Sequence, residues 1–102
     1  MGIFDSLFGN KANQIEEYKS KGAMVIDVRS PGEFRSGHVK GSRNIPLPEI
    51  GRRVSEIAHY KKPIILCCAS GGRSGQAASI LKKEGIDCIN GGSWMKVNQF
   101  ID

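Results

Sequence analysis

Residues 63–85 read PIILCCASGGRSGQAASILKKEG, and this stretch decides the fold. Pro63-Ile64-Ile65-Leu66-Cys67 is a short, apolar, β-branched run, the pattern of a buried strand. Cys68 to Gly72 is a run of small residues suited to a tight loop. From Ser74 to Lys83 the apolar residues Ala77, Ala78 and Leu81 fall on one helical face, and Gly85 supplies a stop. A buried strand that passes through a tight loop into a helix is the building unit of an α/β fold.

The flanking sequence repeats that alternation. Upstream, residues 11–20 read as a polar helix ending at Gly22, where a left-handed residue is natural. Ala23-Met24-Val25-Ile26 is a second buried strand, closing at Asp27-Val28-Arg29. Ser30-Pro31-Gly32-Glu33 has the form of a helix start, with Ser30 as cap, Pro31 at the first position and Glu33 completing a capping box. Gly37 keeps that helix short. Val39 to Ile45 crosses back with little periodicity. Pro46 and Pro48 then lead into a helix with Ile50, Val54, Ile57 and Ala58 on its apolar face. Downstream, Ile86 to Ile89 reads as a strand, Gly91-Gly92 as a turn, and Trp94 to Phe100 as a last helix. The pattern predicts an α/β domain with a mainly parallel sheet of four to five strands flanked by helices. In such sheets ligands bind where the C-terminal ends of strands meet helix N-termini, and the loop from Cys68 lies at such a point.

A chain of 102 residues suits one domain, assigned to residues 11–102 with residues 1–10 as an extension. No strand is evident in that extension. Its opening matches the Gly2 myristoylation pattern with Ser6 in place, a short pattern that matches by chance. Ile3, Phe4, Leu7 and Phe8 form a small apolar patch there. No apolar run of about 18 residues exists, so no membrane span is expected. The net charge of +5 comes as scattered pairs, Arg52-Arg53, Lys61-Lys62 and Lys82-Lys83, rather than as a stripe with interleaved aromatics. That distribution reads first as an ordinary soluble basic surface, with attraction of anionic substrates or an acidic partner as the functional alternative and nucleic acid behind both. The odd number of cysteines, three, argues against a disulfide framework, and the spacing lacks a zinc pattern. Free thiols fit a reducing compartment, so a cytoplasmic monomer without metal or cofactor is expected.

The chemistry concentrates at Cys68. Backbone N–H groups in the first turn of a helix have no partners within it, and a tight loop can curl successive amides into a nest for an anion. Ala69, Ser70, Gly71, Gly72, Arg73 and Ser74 supply such donors, Arg73 adds a guanidinium suited to an oxyanion, and Ser74 can cap the helix. A thiol over such a nest drops from near 8.5 to roughly 3.5–7.5 and becomes a nucleophile at neutral pH. That picture requires a Cys68 sulfur open to solvent, and the short connections around it predict that it is.

The segment Cys68-Ala69-Ser70-Gly71-Gly72-Arg73-Ser74 resembles the rhodanese signature C-x-x-G-x-R-S. Val25 to Arg29, then Glu33-Phe34, Gly37-His38-Val39, Gly41 and Asn44-Ile45-Pro46, then Gly91-Gly92 and Trp94, resemble the other markers of that family in order. The resemblance implies a sulfurtransferase in which Cys68 takes sulfane sulfur from an anionic donor such as thiosulfate. The resulting persulfide passes its sulfur to cyanide, a thiol or a sulfur-carrier protein. Two alternatives stand beside it. One is a non-catalytic sulfur-carrier or protein-docking module. The other is a cysteine phosphatase using Cys67, since Cys67 and Arg73 have the C-x5-R-S spacing. Gly71 is in place for the Cys68 register, while Ser70 and Leu66 do not suit the phosphatase pattern. The loop from Cys68 to Arg73 also fits a sulfur atom, and one residue more makes room for a phosphoryl group.

Elsewhere, Cys67 reads as a core residue with a resolving thiol as its alternative role, and Cys88 as core. Asp27 and Arg29 read as a structural network with Arg29 reaching Glu33. His38 reads as a structural imidazole bonded to backbone. Trp94 reads as core or rim.

Overall fold

The computed structural model describes residues 11–102. The expectations for the patch, the lipidation pattern and the missing strand in residues 1–10 lie outside the described residues. The elements are α1 (Lys11–Ser20), β1 (Met24–Asp27), α2 (Pro31–Arg35), β2 (Arg43–Asn44), α3 (Leu47–Ile50), a 3₁₀ turn (Gly51–Arg53), α4 (Val54–His59), β3 (Ile64–Cys68), α5 (Gly72–Lys83), β4 (Cys88–Ser93) and α6 (Trp94–Asn98). Among these residues there are four strands, in the order β2-β1-β3-β4, with every neighbouring pair parallel.

The all-apolar strand at 64–68 is central because both its faces are covered. The period of two sends alternate side chains to opposite layers. Ile64, Leu66 and Cys68 join a core closed by Ile50, Ile57, Ala77, Ala78 and Leu81 from α3, α4 and α5. Ile65 and Cys67 join the other core, closed by Ile15 of α1 and Val97 of α6. Neighbouring cysteines therefore face different halves of the molecule.

Local signals act as the sequence indicates. Ser30 and Glu33 form the capping box reciprocally. Gly22 and Gly85 end their helices with φ near +80° (81° and 79°). Three details differ from the sequence-based expectation. Ala58 is exposed, because the chain enters α4 through the 3₁₀ turn and only Ile57 there points fully inward. Val39 to Ile45 contains the short strand β2. Gly91 and Gly92 lie within β4 rather than forming a turn. There the register jumps from Leu66↔Asn90 to Cys67↔Gly92, so Gly91 is bulged. A Cβ on Gly91 would lie 2.8 Å from Val97 Cγ2 and 2.9 Å from Ile65 Cγ2, so close packing requires glycine.

Candidate active site

The loop from Cys68 to α5 sits at the C-terminal end of β3 and turns at Gly71, whose φ of +106° is one that side-chain-bearing residues rarely adopt. That turn aims backbone donors at one atom. The Gly71 N–H lies 3.0 Å and the Ser74 N–H 3.4 Å from Cys68 Sγ, and the Ser74 hydroxyl lies 3.3 Å away. The Ser70 amide also favours the ionised sulfur. Ala69 and Gly72 form exposed parts of the turn. The helix α5 begins at Gly72, so its unpaired first-turn amides and its positive end face the sulfur. Burial opposes ionisation of Cys68. The Ser74 hydroxyl and the Ser74, Gly71 and Ser70 amides outweigh it and bring the thiol down to about 7.

Two expectations for this loop are corrected. Ser74 is not a cap: Gly71 occupies the cap position, and the Ser74 side chain, fully buried in the first turn, faces Cys68 and Asn90. Cys68 is not open to solvent either, being 1% exposed. The reason is geometric. The amides converge on Sγ itself, so the thiol fills the nest and the loop closes over it. The structure thus supplies the acidity that the sequence-based picture needs and not the open sulfur that it also requires, so attack by Cys68 on a donor needs the loop to move first.

Arg73 leaves the loop sideways. Its guanidinium makes a bidentate pair with Glu33 of α2, with Nη1–Oε1 at 2.8 Å and Nη2–Oε2 at 3.1 Å. This pairing, with help from Ser30, holds Glu33 down to about 2. The expectation that Arg29 reaches Glu33 is corrected: Arg29 turns to Asp27 instead. Its Nε lies 3.0 Å from each oxygen of the buried Asp27, its Nη2 donates to Asp27 Oδ2 and to the Gly37 carbonyl, both at 2.7 Å, and its guanidinium lies 4.9 Å from the Trp94 ring. Both Asp27 carboxylate oxygens and the Nε and Nη2 of Arg29 are bonded, which makes the pair a brace between β1, the Gly37 turn and α6. His38 bonds the Phe34 carbonyl at 2.7 Å and stacks on the Phe34 ring, in keeping with a structural role.

Cys67 and Cys88 are both buried free thiols. Burial first, then the charge of Asp27, pushes the Cys67 thiol up to about 12. A phosphatase nucleophile at Cys67 has no support, since its sulfur faces the opposite core from the loop amides. Asn90 is the site residue that sequence reasoning missed. Its Nδ2 donates to the Gly71 carbonyl at 3.0 Å, and its Oδ1 accepts from the Gly92 N–H at 3.0 Å and the Ser74 hydroxyl at 2.7 Å. The available signal was a polar residue interrupting the apolar run Cys88-Ile89 at a strand's C-terminal end.

A hollow of about 420 Å³ beside the loop is walled by Val28, Pro31, Pro46, Leu47, Pro48 and Arg73. A second, of about 370 Å³ between Lys61, Lys62, Glu84 and Asp87, lies at the far end of the sheet from the Cys68 loop. Among the described residues no helix is long and apolar enough to cross a membrane.

Residues 11–97 match the model of the rhodanese-like domain. The chain belongs to that family. Among its relatives, it is 46% identical over 72 residues to the uncharacterized protein YqhL of Bacillus subtilis, covering 69% of this chain and 56% of that protein. It is 35% identical over 72 residues to the thiosulfate sulfurtransferase GlpE of Ectopseudomonas mendocina, covering 71% of this chain and 65% of that protein. The chain thus aligns with less than two thirds of the length of either relative. A solved structure described as rhodanese with anions from E. coli superposes with a TM-score of 0.67 at 34% identity, over 72% of this chain and 89% of that one. The rhodanese fold expected from the sequence is the fold observed.

Proposed function

We propose that the protein is a sulfurtransferase that carries sulfane sulfur on Cys68. The observation that supports this most is the convergence of the Gly71 and Ser74 amides and the Ser74 hydroxyl on Cys68 Sγ, with α5 pointing its positive end at the same atom. A thiol near 7 is about half thiolate at neutral pH. In the first step the Cys68 thiolate attacks the outer sulfur of a donor such as thiosulfate. The new S–S bond forms as the donor's S–S bond breaks, and sulfite leaves with the electron pair. The persulfide keeps one negative charge, now on the outer sulfur. In the second step cyanide or a thiolate attacks that outer sulfur, and Cys68 departs as thiolate. The loop amides stabilise the anion in each resting form and the leaving sulfur in the second step.

Arg73 supplies positive charge at the rim, where an anionic donor arrives, and Glu33 fixes its direction. The burial of Cys68 adds an opening of the loop before the first attack. Incubation with thiosulfate and cyanide tests the proposal: thiocyanate forms with the native chain and not with Cys68→Ser. Unchanged thiocyanate formation in Cys68→Ser overturns it. Loading of Cys68 without release to cyanide assigns the chain a carrier role instead.

A further inference from the structure

The Asn90 side chain carries its own assignment. The Gly92 amide can only donate, so the atom 3.0 Å from it is the carboxamide oxygen. The Gly71 carbonyl can only accept, so the atom 3.0 Å from that is the amide nitrogen. It follows that the Ser74 hydroxyl, 2.7 Å from Asn90 Oδ1, is the donor in that contact. A hydroxyl has one proton. While it points at Asn90, Ser74 faces Cys68 Sγ, 3.3 Å away, with lone pairs. That suits a neutral thiol, whose S–H can donate to Ser74. It does not suit a thiolate, which needs the same proton. Ser74 is fully buried, so water does not arbitrate.

We propose that Asn90 is a positioning residue for Cys68, competing for the single proton of the Ser74 hydroxyl, which turns from Asn90 to the sulfur whenever the sulfur carries negative charge. The proposal rests on Cys68 being the sulfur-carrying group and adds how its charge is controlled. A persulfide carries its charge on the outer sulfur, so the hydroxyl returns to Asn90 on loading and swings back when Cys68 departs as thiolate. When the hydroxyl is with the sulfur, Asn90 Oδ1 keeps the Gly92 amide, so neither state leaves it unbonded. The other charged or titratable groups around Cys68 are Arg73 from α5 with its partner Glu33 from α2, the Asp27–Arg29 pair at the end of β1, and Cys67 in β3. None of them contacts the Ser74 hydroxyl, whose bonds go to Cys68 and Asn90.

The test is a double-mutant cycle read on the thiol. Iodoacetamide alkylation of the full chain, mapped to Cys68 by peptide mass spectrometry across a pH series, gives the midpoint for Asn90→Ala, Ser74→Ala and the double variant. Loosening of the loop by loss of the Gly71 contact appears in both Ser74 backgrounds and cancels in the comparison. The remainder is expected to lower the midpoint, raising the thiolate fraction at a pH below it about threefold. Asn90→Asp, which keeps the side-chain shape, carries the test if the alanine variant does not fold. Its Ser74-dependent part is expected to move the midpoint upward, since a carboxylate holds the hydroxyl proton harder. A Ser74-dependent part that is absent or of opposite sign overturns the proposal. Thiosulfate loading in the same samples separates the two levels. Loaded Cys68 with no Ser74-dependent part removes the rotor and keeps the sulfurtransfer, whereas the shift without loading keeps the rotor and removes the sulfurtransfer.

Discussion

Glu33 and Arg73 stand 40 positions apart in sequence and meet as a two-pronged ion pair that ties α2 to the first turn of α5. Glu33 serves two partners at once, since Oε1 also accepts from the Ser30 amide at 3.0 Å in the capping box. The only guanidinium in the Cys68 loop is thereby fixed in direction and half neutralised.

Glu33→Gln separates those two duties. Glutamine can keep the capping box, so helix α2 is expected to persist. The charge on Arg73 is then unbalanced, and the KM for thiosulfate is expected to fall by about twofold to fivefold at low salt. The gain fades as salt is added, because exposed charges are screened. Steady-state kinetics at two ionic strengths check this, and a KM that rises or does not respond to salt counts against a donor-attracting role for Arg73. The sign with pH is also defined. Because Glu33 is held near 2, the pair's contribution is fully present above the usual carboxylate value of 4.5 and is lost as pH falls toward 2.

The thiolate is the attacking form, so sulfur loading is expected to rise with pH through a midpoint near 7 and then level off. An ordinary cysteine has its midpoint at about 8.5. The plateau for a bulky alkylating reagent is expected to lie below that of a free thiol, because Cys68 is 1% exposed. Iodoacetamide kinetics against a small peptide thiol measure both quantities.

Gly71→Ala places a Cβ at a φ of +106° and 3.5 Å from Gly92 Cα. The left-handed conformation costs an alanine about 1–2 kcal/mol, which the loop can shed only by moving the amide now 3.0 Å from Cys68 Sγ. Stability is expected to fall by about that amount, and the alkylation midpoint of Cys68 is expected to rise. Thermal unfolding and the pH series read the two effects together. A stable variant with an unmoved midpoint would separate the loop's shape from the acidity of the thiol.

Much of this was legible in the sequence because it is local. The capping box at Ser30–Glu33, the stops at Gly22 and Gly85, and the buried run Ile64–Leu66 each follow from a few adjacent residues, and their alternation predicts the parallel sheet. The Cys68-to-Ser74 loop was legible for the same reason. The features that escaped depend on distant parts of the chain. Gly91 reads as a turn glycine until the bulge brings Val97 and Ile65 onto it. Asn90 touches the loop only because β4 lies beside β3 in this register. Glu33 was available to Arg29 and to Arg73 alike, and the buried Asp27 decided by taking Arg29. The burial of Cys68 follows from how far the loop amides close, a matter of ångströms that residue types do not encode.

The most direct measurement is the mass of each cysteine-containing peptide after incubation of the intact chain with thiosulfate, in the native protein and in variants with each cysteine replaced in turn. A gain of one sulfur on Cys68, kept when Cys67 or Cys88 is replaced and lost in Cys68→Ser, is the predicted result. A folded protein that gains no sulfur, or gains it on Cys67, contradicts the account.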